Sequence, residues 1–478
     1  MLQPDVDETF AEPLLKKRRS YLPDGPKTAS EAHDWVSTCL TKLADRGRML
    51  FNVNFCERLQ KSLQVGLCLR TDYSGLGGPE EALCQLARGL RLDESVLMCQ
   101  RACDKEQHCR RVLMHRASAS RPSCVQTDIL ERIPKHMLEK IQSMHAEHSA
   151  VADDKSKNGM KKEDAIDEQG GMFIRRSLQV LMQAKGSRDI SKRAGFCVVH
   201  NKTCPVSPPV PDDFQGLVCN VSGINCYDFS AMGISKRFLG CSAVPFVVWL
   251  SERLLSKEDF FVVECVCGFD DELLSELVRE SFDMVCLEIC PSMFGLPIAR
   301  ERKYMVFLAK HMCWAPEVVS KGHQQAFEQL FSCQVHMRGD ELLRASPELV
   351  ASHVHNMAQA HEAWLVQSGY HVQSSVMSNI RQKPEYMGPM LSGYVPTLLQ
   401  SSVLWSFRHR RLVLPVEMLE LQGYNLLDQD PSRRSCIETC LSEISDTAIR
   451  GMAGNAMHIQ CIGNVLAFVL ACSCKNTP

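Results

Sequence analysis

Cys226, Glu264, Arg300 and Arg302 are of types that could do chemistry together. They supply a thiol nucleophile, a carboxyl group to manage a proton, and two guanidinium groups for an anion or a developing charge. In GLVCNVSGINCYDFSAMG an apolar run from Leu217 to Val221 reads as a buried strand. It stops at Gly223 and delivers Cys226 onto a loop that ends at Gly233. Loops at the carboxyl ends of strands in open α/β sheets are where ligands usually sit. Cys226 is one of 24 cysteines, most of which read as small buried hydrophobes, so its neighbours must single it out. Glu264, in FFVVECVCGFD, ends a second apolar run, where a carboxylate is costly without a task or a partner. In FGLPIARERKYMVF, Arg300 and Arg302 share one face of an extended segment, either as an anion anchor or as an exposed basic edge.

A second group of residues reads as a ligand cradle. In RTDYSGLGGPEEAL, glycines 75, 77 and 78 follow a strand and open a helix, a turn that lets backbone N–H groups approach a ligand. Asp104 and Asp128 end the next two strands. A carboxylate at the second strand end can accept the ribose hydroxyls of an adenosine-type cofactor, and one at the third can receive the adenine amino group. The alternative is that both aspartates cap helices.

The elements that must position these residues alternate along the chain. VGLCLRTD, SVLMCQRACD and SCVQTDI read as strands, separated by helices EEALCQLARGL and KEQHCRRVLMHR. The alternation resumes with helix AVPFVVWLSERLL, strand FFVVECV, helix DELLSELVRES and strands MVCLEI and KYMVFLA. Such a pattern predicts an α/β fold with a mostly parallel central sheet. Residues 1–60 form an amino-terminal extension, a mobile tail and then a helix from Ala29 to about Met49 capped by Ser30. The catalytic core is expected over 61–311, interrupted at about 146–171 by a charged segment that reads as a disordered insertion, with a helix from Met172 to about Ala184. Irregular, histidine-rich residues 312–406 read as a smaller domain, and 407–478 as a return to the core.

A net charge of −2 removes the global signal of a nucleic-acid binder and leaves only a local basic surface. MLQPDVDETF has no apolar signal core and no uninterrupted apolar run reaches membrane-spanning length, so a reducing intracellular compartment without membrane association is expected. Lys16-Lys17-Arg18-Arg19 reads as a nuclear import signal or a solvated basic tail. Cys197, His200 and Cys204 have ligand-like spacing, but no fourth ligand stands at a convincing distance along the chain, so no metal is expected.

The order of these pieces resembles the cytosine-C5 methyltransferase family: glycine turn, two acidic strand ends, strand–Cys loop, strand–Glu, then Arg-x-Arg. RRLVLPVEMLELQGYN and GNAMHIQCIGNVLAF are similar to the family's two closing motifs, and the resemblance spans about 62–130, 214–310 and 407–475. It implies a Rossmann-like S-adenosylmethionine-dependent methyltransferase fold with a smaller target-recognition domain. It also implies methyl transfer to C5 of cytosine in DNA through a covalent Cys226 intermediate, with Glu264, Arg300 and Arg302 as the other catalytic residues. The cofactor would lie on Tyr73, Ser74, Gly75, Leu76, Gly77, Asp104, Asp128, Ile129 and Asn455. Arg338, Arg344, Arg381 and the run Arg408–Arg411 would meet phosphates. A tRNA cytosine is the alternative substrate, and a binding or regulatory protein without turnover the alternative class. The chain departs from the family pattern at Thr71 and Asp72, Tyr73, Ala102, Ile224, Asn225, Tyr227, Asp228, Cys265 and Ile298.

Overall fold

The computed structural model describes residues 22–183, 190–225, 227–230, 235–346, 356–372, 375–385 and 393–476; Cys226 and the basic run 16–19 lie outside them. Nine strands form the central sheet: β1 (Leu67–Asp72), β2 (Leu97–Cys103), β3 (Cys124–Gln126), β4 (Ala194–Cys197), β5 (Lys202–Pro205), β6 (Leu217–Gly223), β7 (Phe260–Cys265), β8 (Phe282–Ile289) and β9 (Arg302–Ala309). Their order is β5-β4-β3-β2-β1-β6-β7-β9-β8. Strands β3 to β7 across the centre are parallel, while the β4–β5 hairpin and β9 run antiparallel to their neighbours. This is the α/β fold with a mostly parallel, Rossmann-like central sheet that the sequence predicts. The chain turns outward in opposite directions from β1 and β6, so the crevice for a ligand opens at their carboxyl ends.

Alternate residues of the central strands enter two cores, as the period of two demands. Phe260 and Val262 join Leu69, Val221 and Val306 on one face. Phe261, Val263 and Cys265 join Met305 and Phe307 on the other, where the Phe261 and Phe307 rings stack at 4.2 Å. The first core is closed by helices Trp35–Phe51, Phe55–Val65, Gly78–Gly89 and Ile459–Cys472. The amino-terminal extension beyond residue 28 is therefore part of this core. Its first helix is capped by Thr28 rather than Ser30, the Thr28 side chain accepting from the Glu31 N–H. The stretch Asp446–Cys472 is long and apolar enough to cross a membrane, but 94% of its most apolar window is buried in the protein.

The segment expected to be disordered, 146–171, is helical. Lys135–Lys157 and Lys162–Gln183 pack as an antiparallel pair on the second core. Met137, Ile141, Met144, His148 and Ala152 recur every three to four residues and meet Ala165, Ile166, Phe173 and Ile174. The buried stripe is built partly of alanine, histidine and glutamine, with His148 Nδ1 2.9 Å from Gln169 Oε1, so apolar content alone understates it. Segment 312–406 divides. Met312–Trp314 pairs with Ser473–Lys475, and helix His323–Phe331 enters the first core. Farther along, Met377–Asn379, Leu404–Ser406 and Arg411–Leu412 make a three-stranded sheet over a small core of Ala358, Leu365, Ile380, Trp405 and Phe407.

Candidate active site

The glycine turn is strained into shape and held from below. Tyr73, Gly75 and Gly77 all have positive φ, at 52°, 53° and 75°. Ser74 Oγ accepts from the Cys103 N–H at 2.9 Å and lies 2.7 Å from Thr71 Oγ1, whose hydroxyl donates to Glu80 Oε1 at 2.7 Å. Leu76 is buried and its carbonyl accepts from Arg116 at 2.8 Å. A Cβ on Gly75 would meet nothing within 4 Å, so the outer face of the turn is open to a ligand. The Gly75 N–H donates to Asp104 Oδ2 at 2.7 Å, which ties the turn to the end of β2. Partial burial raises the Asp104 carboxyl pKa, against the pull of the Glu106 and Gly75 N–H groups. Asp128 accepts from the Leu130 N–H at 2.9 Å and caps the short helix Ile129–Arg132, in which Ile129 is buried. Its capping role is thus realised, and the residue is half-buried.

Asp72, the last residue of β1, is fully buried and faces inward. Arg101 and Arg132 both donate to Oδ1, and Arg101 and Asn220 to Oδ2 at 2.9 and 3.0 Å. Burial would raise this carboxyl, but the two guanidinium groups hold it well below the usual range. Arg132 continues to Glu252 at 2.8 Å, and Arg253 links Asp72 to Glu258. Spacing gave no sign of this network, because its members come from β1, β2, β6 and two helical segments.

Glu264 ends β7 in register with Gly223, the last residue of β6. Its carboxylate is buried and pairs with Arg302 Nε at 3.2 Å. A Cβ on Gly223 would sit 3.8 Å from Glu264 Oε2 and 3.6 Å from the Tyr73 carbonyl. Three strand ends therefore meet here. Beyond Gly223, Ile224 is buried in the second core, and Asn225 Oδ1 accepts from the Tyr227 N–H at 3.1 Å. Cys226, the expected nucleophile between them, is outside the described residues. Asp228 is buried and held by Ser242 through its N–H at 3.0 Å and its hydroxyl at 2.6 Å.

Arg300 takes a different place from Arg302. It is buried, and its guanidinium donates to the carbonyls of Leu398, Gly454 and Ala456. These bonds fix the backbone on either side of Asn455, which is exposed at the end of helix Asp446–Asn455. Helix and chain approach so closely there that a Cβ on Gly454 would lie 2.3 Å from the Leu399 carbonyl carbon. Met457 and Ile459 then pass beside Gly78, bringing the closing motif against the glycine turn.

A cavity of about 800 Å³ opens beside Arg302. Phe229, Ser230, Val266, Cys267, Tyr394 and Thr397 line it, together with Glu163, Asp164 and Asp167 from helix Lys162–Gln183. These acidic residues fall in the segment read as a disordered insertion, because the helix was expected to begin only at Met172 rather than at Lys162. Of the arginines expected at phosphates, Arg344 pairs with Glu420 and donates to Asn425 Oδ1 at 2.7 Å, and Arg411 forks onto Glu417 at 2.7 and 2.7 Å. Both are committed inside the protein, whereas Arg338, Arg381, Arg408 and Arg410 are exposed. A fourth partner for Cys197, His200 and Cys204, absent from the local spacing, is supplied by Cys124 of β3.

No family model and no curated protein matches the chain. Among solved structures it is similar to the S. pombe Dnmt2 methyltransferase, at 12% identity and TM-score 0.43, covering 84% of this chain and 98% of that one. The Entamoeba histolytica methyltransferase EhMeth covers the same shares at 10% identity and TM-score 0.43. A putative DNA modification methyltransferase encoded within an E. coli prophage does so at 13% identity and TM-score 0.40.

Proposed function

We propose that this protein is an S-adenosylmethionine-dependent methyltransferase that acts on C5 of cytosine in DNA, with Cys226 as its nucleophile. The observation that carries the reading is the buried Glu264–Arg302 pair, at 3.2 Å. Glu264 is in register with Gly223, where β6 hands the chain to the loop bearing Cys226. A duplex cytosine must leave the stack to be reached, and the cavity beside Arg302 offers such a base room.

In this reading the Cys226 thiolate adds to C6, forming an S–C6 bond and placing negative charge on C5 and the ring. Glu264 holds the N3 and amino edge, and Arg302 steadies the Glu264 carboxylate and the charge that develops. After methylation, loss of the C5 proton to a base breaks the S–C6 bond and frees the thiolate. The open face of Gly75 and the half-buried Asp104 and Asp128 fit an adenosine-type cofactor, with Tyr73, Ser74, Leu76, Gly77, Ile129 and Asn455 around it. S-adenosylmethionine, when bound, supplies the electrophilic methyl group. Arg300 acts through backbone, as a positioning residue for Asn455.

One observation favours a second reading. Glu163, Asp164, Asp167 and Glu301 face the same cavity against Arg237 and Arg302; Arg237 is paired with Asp167, and the remaining acidic charge opposes a phosphate backbone. A family-like protein that binds cofactor or a partner without turnover would tolerate them. The deciding experiment incubates labelled S-adenosylmethionine with purified protein and duplex DNA or tRNA, with Cys226→Ala in parallel. Label on DNA that disappears in the variant supports the proposal. Label on tRNA alone overturns the substrate, and cofactor binding without transfer overturns the activity.

A further inference from the structure

We propose that Cys124, Cys197, His200 and Cys204 bind one Zn²⁺ ion that staples the β4–β5 hairpin to β3. Cys197 ends β4 and Cys204 lies on β5, diagonal neighbours across the hairpin, with Gly195 opposite Cys204 and Lys202 opposite Cys197. His200 stands in the turn between them, and Cys124 opens β3, more than seventy positions earlier in the chain. All three cysteines are buried, and His200 faces outward as a lid. The four potential ligand atoms lie within 4.8 Å of one another.

The distances are those of a shared central atom. His200 Nδ1 is 3.5 Å from Cys124 Sγ, 3.4 Å from Cys197 Sγ and 3.5 Å from Cys204 Sγ. With Zn–S of about 2.3 Å and Zn–N of about 2.0 Å, a tetrahedron separates sulfur from nitrogen by about 3.5 Å. Hydrogen bonding does not account for the arrangement, because Nδ1 of an imidazole has one proton or one lone pair and cannot serve three thiols at equal distance. Nor does a disulfide, since all three thiols are free and a pairing would strand the third. Three thiolates and one neutral imidazole suit zinc, a borderline-soft cation without geometric preference of its own. On binding, the three thiols release their protons to solvent and leave a site of net charge −1.

The ion would strengthen a thin attachment. The registered pairing of the hairpin to β3 is the single pair Gln126↔Cys197, supported by the Val198 N–H donating to the Val125 carbonyl at 2.9 Å and by two small apolar clusters, these cysteines with Val199 and Val125 with Val198 and Val199. Phe196 is 40% exposed. Strands of four residues with so little core are weak unless cross-linked. The ion also bears on the proposed cofactor site. The Thr127 N–H donates to the Phe196 carbonyl at 3.2 Å, one residue before Asp128. This coupling to cofactor rests on the proposed function, whereas the metal site does not.

The test uses the full-length protein, purified without chelator from zinc-supplemented cultures. Elemental analysis should find one zinc per chain, falling below about a fifth in Cys124→Ser and staying at one in Cys474→Ser, whose thiol is on a distant exposed strand. X-ray absorption should give three sulfurs at about 2.3 Å and one nitrogen at about 2.0 Å. Because Cys124→Ser could fail to fold, the unaltered chain is also loaded with Co²⁺, which should show the intense visible bands of tetrahedral cobalt and thiolate charge transfer. A folded wild-type chain that carries no zinc and takes up neither Zn²⁺ nor Co²⁺ overturns the proposal, as does zinc retained at full occupancy by folded Cys124→Ser. If zinc is present and methyl transfer is absent, the metal site stands and the enzymatic reading falls.

Discussion

Replacing Asp72 by Asn tests whether the charged network beneath the glycine turn is as desolvated as its burial implies. The substitution keeps the shape of the side chain but removes the charge and turns one acceptor into a donor facing a guanidinium. Asp72 is the only carboxylate that Arg101 engages among the described residues, and both side chains have no exposed surface. Breaking a buried pair from one side typically costs about 3–5 kcal/mol, because the surviving charge stays unpaired in a medium of low polarity. An unfolding entropy of about 2.1 cal/mol/K per residue amounts to about 1 kcal/mol per kelvin for a chain of this length, so Tm should fall by about 3–5 °C. Differential scanning fluorimetry reads this directly, and the exposed pair Asp24–Lys27 supplies a control in which Asp24→Asn leaves Tm unchanged. Asp72 is held below its ordinary pKa, so its contribution is complete above about pH 4 and is lost only as the pH falls toward the depressed folded value; the difference should persist at pH 5. The same variant should weaken S-adenosylmethionine binding, since Tyr73 and the turn begin at the next residue. A Tm within 1 °C of wild type at pH 7 would refute the reasoning, by showing that Arg101 and Arg132 reach water or other anions.

Other expectations follow from single contacts. Glu264→Gln should lower the single-turnover rate by about 10²-fold or more with cofactor affinity unchanged; equal losses in both would show that Glu264 shapes the cofactor pocket instead. Gly75→Val adds bulk to an open face in a left-handed turn, so calorimetry should show at least a tenfold loss of cofactor affinity for a small change in Tm. Gly454→Ala drives a methyl group into the Leu399–Gln400 backbone and should instead lower Tm by several degrees, with soluble yield falling in step. His458 is buried with neither ring nitrogen hydrogen-bonded, and burial followed by the charge of Arg300 brings its pKa down to about 3. The unfolded chain takes up a proton below about pH 6.5 that the folded chain refuses, so this term is intact above pH 6.5 and lost toward pH 3, at up to ~1.4 kcal/mol per pH unit. Urea midpoints at pH 7 and pH 5 should differ more for wild type than for His458→Leu; parallel shifts would show that the acid sensitivity lies elsewhere.

Much of the site was legible because its residues stand at the ends of strands whose apolar runs are self-announcing. Tyr73 to Gly77, Asp104 and Glu264 each follow such a run, and the crevice of a doubly wound sheet gathers strand ends by construction. Arg300 was harder to read. Its spacing from Arg302 predicts a shared face, but Arg300 precedes β9, and the carbonyls that capture it come from residues 398 to 456. The helical pair over 135–183 was read only from Met172 onward, for another reason. Its buried face relies on Ala152, Ala165, His148 and Gln169, residues that carry little hydropathy and become core only against one another.

The alternation of strands and helices, the glycine turn, and the carboxylate and guanidinium at Glu264 and Arg302 are readable along the chain. These depend on local periodicity and on which residue types tolerate a given backbone. Tertiary structure decided which distant groups share a charge or a ligand. Asp72 meets Arg101 and Arg132 because β1 and β2 are neighbours and the helix after β3 returns beneath them. Cys124 meets Cys197, His200 and Cys204 because an antiparallel hairpin closes the edge of the sheet beside β3. Spacing along a chain cannot announce such encounters, since the intervening residues set the path and the pairing of strands sets the distance.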